Sequence, residues 1–245
     1  MAGTVALYPR TVALDAPYDR LVKEPKSTME VPVYMNTGAT KVSPDGRKLR
    51  LLGMGVRTVT FLGVHVYVAA LYVDENAIAS AKPAWAAGDR NLEDQVRTWL
   101  EEGVACAVRI MPVRSTDFGH LRDGFLRTVQ TRAKDARLPG KAYTLDEADE
   151  ETLSSNVQDL KSLFPRSKVS RGQTLDLLVE KAPGGYYVLT VQYNGNTLGD
   201  VESVPSSSRA FTVPTGLLLA YMGERPDISA PLRASVVAGL QHQLP

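Results

Sequence analysis

The sequence predicts an α+β fold in which an antiparallel sheet carries helices on one face. Three observations predict it: strand-like segments come first and helix-like segments follow, a three-stranded meander comes next, and two helix-like segments close the chain. Strands and helices do not alternate singly, so the parallel sheet of a βαβ fold is not expected. With 245 residues, of which 44% are hydrophobic and 22% charged, the chain is long enough to bury one sizeable core.

The composition argues against several classes of function. A net charge of +1 gives no general reason to expect nucleic acid as a partner. The single cysteine, Cys106, excludes an intramolecular disulfide and any CxxC site, and its apolar neighbours predict a buried thiol. No segment reaches the roughly 20 apolar residues of a membrane-spanning helix. Residues 1–10 lack both the apolar core of a signal peptide and an Arg-rich presequence pattern.

The domain plan follows from where prolines and periodic segments lie. Residues 1–30 contain three prolines and little periodicity, so residues 1–47 are predicted to be an N-terminal arm packed on the domain. Residues 48–245 are predicted to form a single domain.

The individual elements are assigned from the period of the apolar residues. Alternating or β-branched runs predict strands at residues 31–35, 48–52, 56–60, 63–72, 104–113, 173–180, 186–193 and 196–203, with turns at 43–46, 182–185 and 194–195. A period of 3.6 residues predicts helices at residues 89–101, 117–136, 144–164, 207–222 and 229–240. Their predicted N-caps include Asp89, Thr144 and Ser229, and Pro214 falls inside the apolar helix 207–222.

The predicted helix 117–136 carries its basic side chains mostly away from its apolar stripe. That pattern predicts a solvated face, with acidic lipid as an alternative partner. The basic residues are Arg122, Arg127, Arg132, Lys134 and Arg137.

Residues 53–73 form the centre of the predicted sheet, and Arg57 is the only permanently charged side chain among them. A buried guanidinium is costly unless it meets an anion or several acceptors. Arg57 therefore indicates either a structural ion pair or a cleft for an anionic ligand. In an extended strand His65 and Tyr67 would share one face beside it. The alternatives are a core phenol for Tyr67 and partly exposed positions for His65 and His120.

No recognised catalytic motif accompanies these residues. The sequence contains no GxSxG, GxxxxGK[ST], GxGxxG or HExxH pattern. Its three histidines have no metal-ligand spacing among them, and its carboxylates form no convergent pair. General acid–base catalysis and metal-dependent hydrolysis therefore have no support in the sequence.

Three segments resemble the chalcone isomerase superfamily: Gly55-Val-Arg57 with residues 61–75, residues 109–125, and residues 211–232. The resemblance covers roughly residues 48–242 and is closest to the fungal mitochondrial (altered inheritance of mitochondria) members. It implies an open-faced β-sandwich of the chalcone isomerase type, in which a large antiparallel sheet faces a layer of helices across a ligand cleft. By comparison with plant members, residues 138–172 are a longer, helical insertion.

The resemblance places Arg57 at the family's catalytic arginine, which steadies the substrate phenolate in the true isomerases. Tyr67 stands where those enzymes have a water-binding threonine, and Phe118 and Phe125 replace an active-site tyrosine and asparagine. The loss of these hydrogen-bonding groups implies that no catalytic residue, and no isomerase activity, is expected.

Two non-catalytic branches of the family are the alternatives to an isomerase. The plastid fatty-acid-binding branch pairs the arginine with a tyrosine like Tyr67 to hold a carboxylate. The fungal mitochondrial branch binds haem, which implies haem as the cofactor, Arg57 as a clamp for a propionate, and Phe118 and Phe125 against the apolar face. The candidate axial ligands are His65, His120 and Tyr67, and His65 ranks first because it shares the predicted strand face of Tyr67.

The resemblance also implies a mitochondrial location. The expected partner is haem or another anionic hydrophobic small molecule, and association with the inner membrane would depend on parts absent from this chain. A working isomerase with a modified site is the third hypothesis.

Overall fold

The computed structural model of the chain describes residues 20–59, 63–86, 91–224 and 228–242. The strands are β1 (Leu21–Lys23), β2 (Glu30–Pro32), β3 (Tyr34–Asn36), β4 (Lys48–Val59), β5 (Val64–Val73), β6 (Cys106–Pro112), β7 (Thr116–Asp117), β8 (Lys168–Val169), β9 (Leu175–Lys181), β10 (Tyr187–Tyr193) and β11 (Asn196–Ser203). The helices are α1 (Glu75–Ala86), α2 (Leu92–Glu101), α3 (Phe118–Ala136), α4 (Glu147–Ser162), α5 (Val213–Leu219) and α6 (Ala230–Gln241). Within the described ranges, no helix combines the length and the apolar character that crossing a bilayer requires.

One antiparallel sheet organises the molecule, with its strands in the order β11-β10-β9-β6-β5-β4-β3. Each neighbouring pair runs antiparallel, and β5 lies between β4 and β6 in the centre. The predicted antiparallel sheet is confirmed. Two short pairs, β1 with β2 and β7 with β8, lie outside it.

The two faces of the sheet bury different partners. Tyr67, Ala69 and Leu71 of β5 belong to a core that includes buried side chains from all the described helices. Val68 and Ala70 belong instead to a core on the opposite face, which includes apolar side chains from the segment before β4. The helices therefore cover one face, as predicted, because alternate side chains of a strand point to opposite sides.

Polar contacts hold the segment before β4 against that second face. Glu180 of β9 is 1% exposed, and its carboxylate accepts hydrogen bonds from the hydroxyls of Thr40 and Ser43, each at 2.6 Å. Arg47 donates to the same carboxylate at 2.7 Å. A buried carboxylate needs such partners because its desolvation is otherwise uncompensated.

Helix α6 lies directly on β4 because two glycines allow the backbones to approach. A Cβ atom at Gly55 would lie 2.2 Å from the backbone nitrogen of Leu232, and one at Gly53 would lie 2.5 Å from that of Val236. The predicted N-cap Ser229 is confirmed, and its hydroxyl also donates to the carbonyl of a β4 residue at 3.0 Å. The helix thus fixes the strand that carries Arg57.

Two predicted strand boundaries are wrong. Residues 48–52 and 56–59 of the two predicted strands belong to one strand, β4, which continues through Gly53 and Gly55 with a shift of register against β5. The predicted strand 31–35 divides into β2 and β3. Residues 1–19 of the predicted arm, residue 60, and the predicted cap Asp89 lie outside the described residues.

The prediction also missed α1. Asp74 begins it by accepting a backbone hydrogen bond at 2.8 Å, and Ile78, Ala81 and Trp85 form its buried stripe. Pro83 inside the helix and its small apolar residues obscure the helical pattern in the sequence.

Two predicted helix starts need correction. Helix α5 begins at Val213, so Pro214 occupies the first turn, where proline is tolerated, and not the helix interior. Helix α4 is capped by Asp146, whose carboxylate accepts from the backbone of Asp149 at 3.0 Å. Thr144 is not the cap, because its backbone bridges to the segment before α5.

Candidate functional site

A cleft of about 220 Å³ lies between one end of the central strands and the first turns of α3. The C-terminal end of β4 and the N-terminal end of β5 form one side, and the residues that follow β6 lead into the helix on the other. The lining residues are Arg57, Val59, Val66, Tyr67, Arg114, Thr116, His120, Leu121, Gly124, Phe125 and Arg127.

Arg57 and Tyr67 face each other directly across β4 and β5. A guanidinium N–H of Arg57 donates to the Tyr67 hydroxyl at 2.9 Å, and the guanidinium carbon lies 5.5 Å from the centre of the Tyr67 ring. The Tyr67 hydroxyl lies 3.1 Å from the hydroxyl of Tyr221. Either hydroxyl can be the donor in this contact, so Arg57, Tyr67 and Tyr221 are connected by two consecutive hydrogen bonds.

The half-buried Arg57 side chain has no acidic partner in the described part of the chain, since none of the ion pairs found there includes it. Burial by itself lowers the pKa of Arg57, but the nearby Tyr67 and Tyr221 hydroxyls outweigh it and the pKa is raised. The guanidinium is therefore charged at every physiological pH. The sequence offered two explanations for Arg57, a structural ion pair or a cleft for an anionic ligand. No such ion pair is found among the described residues.

Further basic side chains line the cleft. Arg114 lies two residues beyond Pro112, which pairs with Tyr67 across β5 and β6. His120 and Arg127 lie seven residues apart on α3 and therefore on one helix face. No acidic side chain lines the cleft in the described residues. Such a site attracts an anion, because uncompensated guanidinium groups favour charge-assisted hydrogen bonds.

The remaining walls of the cleft are apolar. Val59 and Val66 line it from the sheet, and Leu121 and Phe125 line it from the helix. Phe125 is 3% exposed and packs against the Phe164 ring, with 5.7 Å between ring centroids. A ligand that suits this cleft has an acidic group and an apolar body.

His65 does not share the strand face of Tyr67. Arg57 pairs with Tyr67, but the next residue, Thr58, pairs with His65, so Val66 is an additional residue in a β-bulge. The bulge places Val66 and Tyr67 in the same cleft lining, and His65 lies outside it. The predicted first rank of His65 among the axial ligands therefore loses its basis.

Phe118 also lies outside the cleft lining. It is 1% exposed and packs edge-on against Tyr193, at 4.9 Å between ring centroids, and against Phe164 at 6.4 Å. Its prediction as a ligand-contacting residue is therefore not supported by its position, because its ring belongs to the core under α3. Of the predicted ligand-contacting residues, Arg57, Tyr67 and Phe125 do meet in the cleft, together with His120.

The basic side chains of α3 do not form one solvated surface. Arg122, Arg132 and Arg137 each form an ion pair with an acidic residue. Arg127 lines the cleft. Lys134 is exposed and belongs to none of the ion pairs found among the described residues, so the cationic surface that would meet acidic lipid is reduced but not removed.

Sequence reasoning missed Arg114, Arg127 and Tyr221 as site residues. The spacing of His120, Gly124 and Arg127 at i, i+4 and i+7 is a signal that would have placed Arg127 beside the cleft. Arg114 could have been found from its position just after a strand next to β5. Tyr221 has no local signal, because only tertiary packing brings it to Tyr67.

The family profile described as "Chalcone isomerase like" matches residues 47–237. The chain belongs to the chalcone isomerase-like family. The antiparallel sheet with its layer of helices on one face agrees with the fold of this family, so the predicted fold class is confirmed.

Two yeast proteins, each named "Altered inheritance of mitochondria protein 18, mitochondrial", are similar to this member of the family. The Debaryomyces hansenii protein is 28% identical over 206 residues, and the match covers 76% of this chain and 64% of the relative. The Kluyveromyces lactis protein is 26% identical over 216 residues, covering 78% of this chain and 64% of the relative. The chain thus spans less than two thirds of each relative's length. Their names confirm the resemblance to the fungal mitochondrial members of the family.

A solved structure extends the likeness to plants. The crystal structure of a fatty-acid binding protein from Arabidopsis thaliana superposes with a TM-score of 0.57 at 22% sequence identity, covering 90% of this chain and 97% of the plant chain. At this identity the likeness shows the shared fold.

Proposed function

We propose that this family member binds an anionic, largely apolar small molecule in the Arg57 cleft, and that the ligand is haem. The observation that carries the proposal is the state of Arg57. Its half-buried guanidinium contacts the Tyr67 hydroxyl and has no acidic partner among the described residues. It faces a cleft with two further arginines and no carboxylate in its described lining.

The cleft residues fit the acidic side of haem. The two propionates match Arg57 together with Arg114 or Arg127, because a guanidinium binds a carboxylate through paired N–H donors. His120 is the imidazole in the cleft lining, and its side chain is 77% exposed, so its ring nitrogens are accessible. His120 therefore replaces His65 as the first candidate for the axial ligand. When bound, haem supplies an iron for gas binding or electron transfer.

The size of the cleft restricts how haem is held. Its volume of about 220 Å³ is below the roughly 300–1,000 Å³ that is common for ligand pockets. Haem would therefore be partly exposed at the open side of the cleft. That exposure suits a carrier or sensor, which takes up and releases its ligand.

A fatty acid is the second candidate ligand. The specific observation that favours it is the direct pairing of Arg57 with Tyr67, which offers a guanidinium and a hydroxyl to a single carboxylate. The small volume of the cleft suits one carboxylate and the adjoining part of an acyl chain. The plant relative of the same fold is named as a fatty-acid binding protein.

An isomerase is the third candidate, and we do not favour it. Phe125 offers no hydrogen-bonding group where it lines the cleft, and Phe118 is packed in the core. A catalytic arginine without oriented partners stabilises little developing charge. Measuring cyclisation of a chalcone by the purified chain against buffer tests this candidate, and a rate above the buffer rate would restore it.

The mitochondrial yeast relatives support a mitochondrial site of action. The test of the proposed ligand is a haem titration followed in the visible range, with a parallel calorimetric titration of a long-chain fatty acid. We expect a saturable, shifted Soret band, about tenfold weaker binding in Arg57→Gln, and a changed Soret position in His120→Ala. Arg137→Gln, at the far end of α3, is the matched control and should bind like the wild type.

Each outcome of this titration decides between the ligands. A Soret band identical to that of free haem, with saturable fatty-acid binding that Arg57→Gln weakens, would replace haem by the second candidate. If neither ligand binds saturably, the proposal of an anionic-ligand cleft is wrong.

A further inference from the structure

A second cavity lies at the other end of the sheet from the Arg57 cleft. Its volume is about 400 Å³, within the usual range for small-molecule sites. It lies between the last turn of α2, the ends of β9 and β10 that flank their connecting turn, and the segment before α5. It shares no lining residue with the Arg57 cleft. We name it the Tyr143–Tyr187 pocket after its two aromatic residues.

The two tyrosines are mostly buried, but their hydroxyl groups have no protein partner among the described residues. Tyr143 and Tyr187 are each 8% exposed. Neither hydroxyl has a hydrogen-bond partner among the described residues, and neither belongs to the fully enclosed polar atoms that lack one. The surface that each residue retains therefore includes its hydroxyl. Both phenols line the cavity and can hydrogen-bond to water or to a ligand that enters it.

A cationic side chain lies near each of the two rings. The guanidinium carbon of Arg97 lies 5.8 Å from the centre of the Tyr143 ring, and the ammonium of Lys181 lies 5.8 Å from that of Tyr187. Lys181 is held in place by donating to the backbone carbonyl of Glu101 at 2.8 Å, which leaves two of its N–H groups. Because each ring already has a cation beside it, the pocket is not suited to a cationic ligand.

The polar groups of the pocket are mainly hydrogen-bond donors. Ser207 and Ser208 add hydroxyls to the two phenols and to Lys181, whereas the carboxylate of Glu101 is the acidic group in the lining. Burial raises the pKa of Tyr187, and the charge of Glu101 raises it further, so this phenol stays a donor at neutral pH. Because Lys181 can only donate and the hydroxyls can donate, a ligand with acceptor oxygens suits the pocket.

We propose that the Tyr143–Tyr187 pocket is a second ligand site that binds a flat, apolar organic molecule carrying one anionic group. The apolar body lies against the phenol rings and Leu100, which is 1% exposed. The anionic oxygens accept from the phenol hydroxyls and from Lys181. One anionic group is expected because Lys181 keeps two N–H groups for a ligand, whereas Arg97 is already paired with Asp94. The site goes beyond the proposed function and does not depend on it.

The test uses anilinonaphthalene sulfonate, an aromatic monoanion, titrated into the full chain and followed by its fluorescence. We expect a saturable site, separate from any binding of the probe in the Arg57 cleft, that is about thirtyfold weaker in the double variant Tyr143→Phe/Tyr187→Phe, since each lost hydrogen bond contributes about 1 kcal/mol. Lys181→Met should weaken binding similarly. Arg57→Gln should leave it unchanged, which separates this site from the first cleft, and thermal melting confirms that each variant folds.

Three outcomes would overturn the proposal. They are the absence of saturable binding, a double variant that binds within twofold of the wild type, and loss of binding in Arg57→Gln. A neutral anilinonaphthalene without the sulfonate is the matched probe and should bind at least about tenfold more weakly, because it offers no charged acceptor. Equal binding of the two probes would overturn the preference for an anion.

Discussion

The hydroxyl of Tyr221 lies 3.1 Å from the hydroxyl of Tyr67, although 154 residues separate them in the chain. Tyr67 in turn accepts a hydrogen bond from Arg57 at 2.9 Å. Tyr221 is 1% exposed and follows α5, so a helix on one side of the core supports an arginine on the sheet. The orientation of Arg57 therefore depends on a residue that does not line the cleft.

The two hydrogen bonds that connect Arg57, Tyr67 and Tyr221 predict the effect of Tyr221→Phe. The change removes the hydroxyl that hydrogen-bonds with Tyr67, so we expect the free energy of unfolding to fall by about 1–2 kcal/mol. Tyr67 then holds Arg57 less firmly, and the affinity for the anionic ligand should fall about fivefold. Calorimetric titration and urea unfolding measure the two effects.

The matched control for Tyr221→Phe is Tyr72→Phe. Tyr72 is fully buried on β5, but its hydroxyl donates to the Pro32 carbonyl at 2.7 Å on the opposite face of the sheet. We expect a similar loss of stability with unchanged ligand affinity. Equal losses of affinity in both variants would show that Tyr221 acts on folding alone.

The contact of α6 with β4 predicts that Gly55→Ala is strongly destabilising. The added methyl group would lie 2.2 Å from the backbone nitrogen of Leu232, and neither backbone can yield without moving the helix. We expect a loss of about 3 kcal/mol in urea unfolding. Gly124→Ala in α3 meets no atom within 4 Å and should gain up to about 1 kcal/mol, because alanine favours helix. A tolerated alanine at Gly55 would contradict the close packing of α6.

Two ion pairs of similar geometry predict how burial changes the contribution of a charge to the free energy of unfolding. Arg109 donates to both oxygens of Asp176 at 2.7 and 2.8 Å, and Arg137 donates to both oxygens of Glu150 at 2.5 and 2.7 Å. The first pair is buried, with side chains 12% and 3% exposed, whereas the second is 42% and 41% exposed. Their surroundings therefore differ far more than their hydrogen bonds.

Removing one carboxylate from each pair tests this difference. Asp176→Asn leaves Arg109 buried without its anion and should cost about 3–5 kcal/mol of unfolding free energy. Glu150→Gln should cost less than about 1 kcal/mol, because water screens the exposed pair. Urea unfolding at pH 7 compares the two variants. Similar losses would mean that hydrogen-bond geometry, and not burial, decides the contribution.

Much of the fold could be predicted from the sequence because its elements carry strong local patterns. The apolar stripe of α3 and the alternation in β9 and β10 predict those elements close to their observed limits. The continuity of β4 could not be predicted, because Gly53 and Gly55 suggest a break in a strand. Both positions need glycine because α6, which is distant in the sequence, packs directly on the backbone of this strand.

The candidate site shows the same division between local and tertiary information. The pairing of Arg57 with Tyr67 agrees with the predicted neighbouring strands. The position of His65 was predicted wrongly because one additional residue at Val66 moves every preceding side chain to the opposite face. Tyr221 could not be predicted, because its role exists only after the core has formed.

The buried thiol of Cys106 predicts a specific loss of stability at alkaline pH. Cys106 is fully buried in β6, and this burial, with the nearby charge of Asp74, raises the pKa of its thiol far above the usual range. The unfolded chain ionises the same thiol near pH 8.5. Stability is therefore unaffected below that pH and falls above it, because only the unfolded state releases the proton.

Comparing the wild type with Cys106→Ala isolates this effect. Between pH 8 and pH 9.5 the free energy of unfolding of the wild type should fall by about 1 kcal/mol more than that of the variant. The variant starts from a lower stability because it leaves a small cavity, so the measured quantity is the change with pH and not the absolute value. Urea unfolding at the two pH values gives this change in the free energy of unfolding directly. Parallel pH profiles would mean that the thiol ionises equally well in the folded protein and would contradict the raised pKa of Cys106.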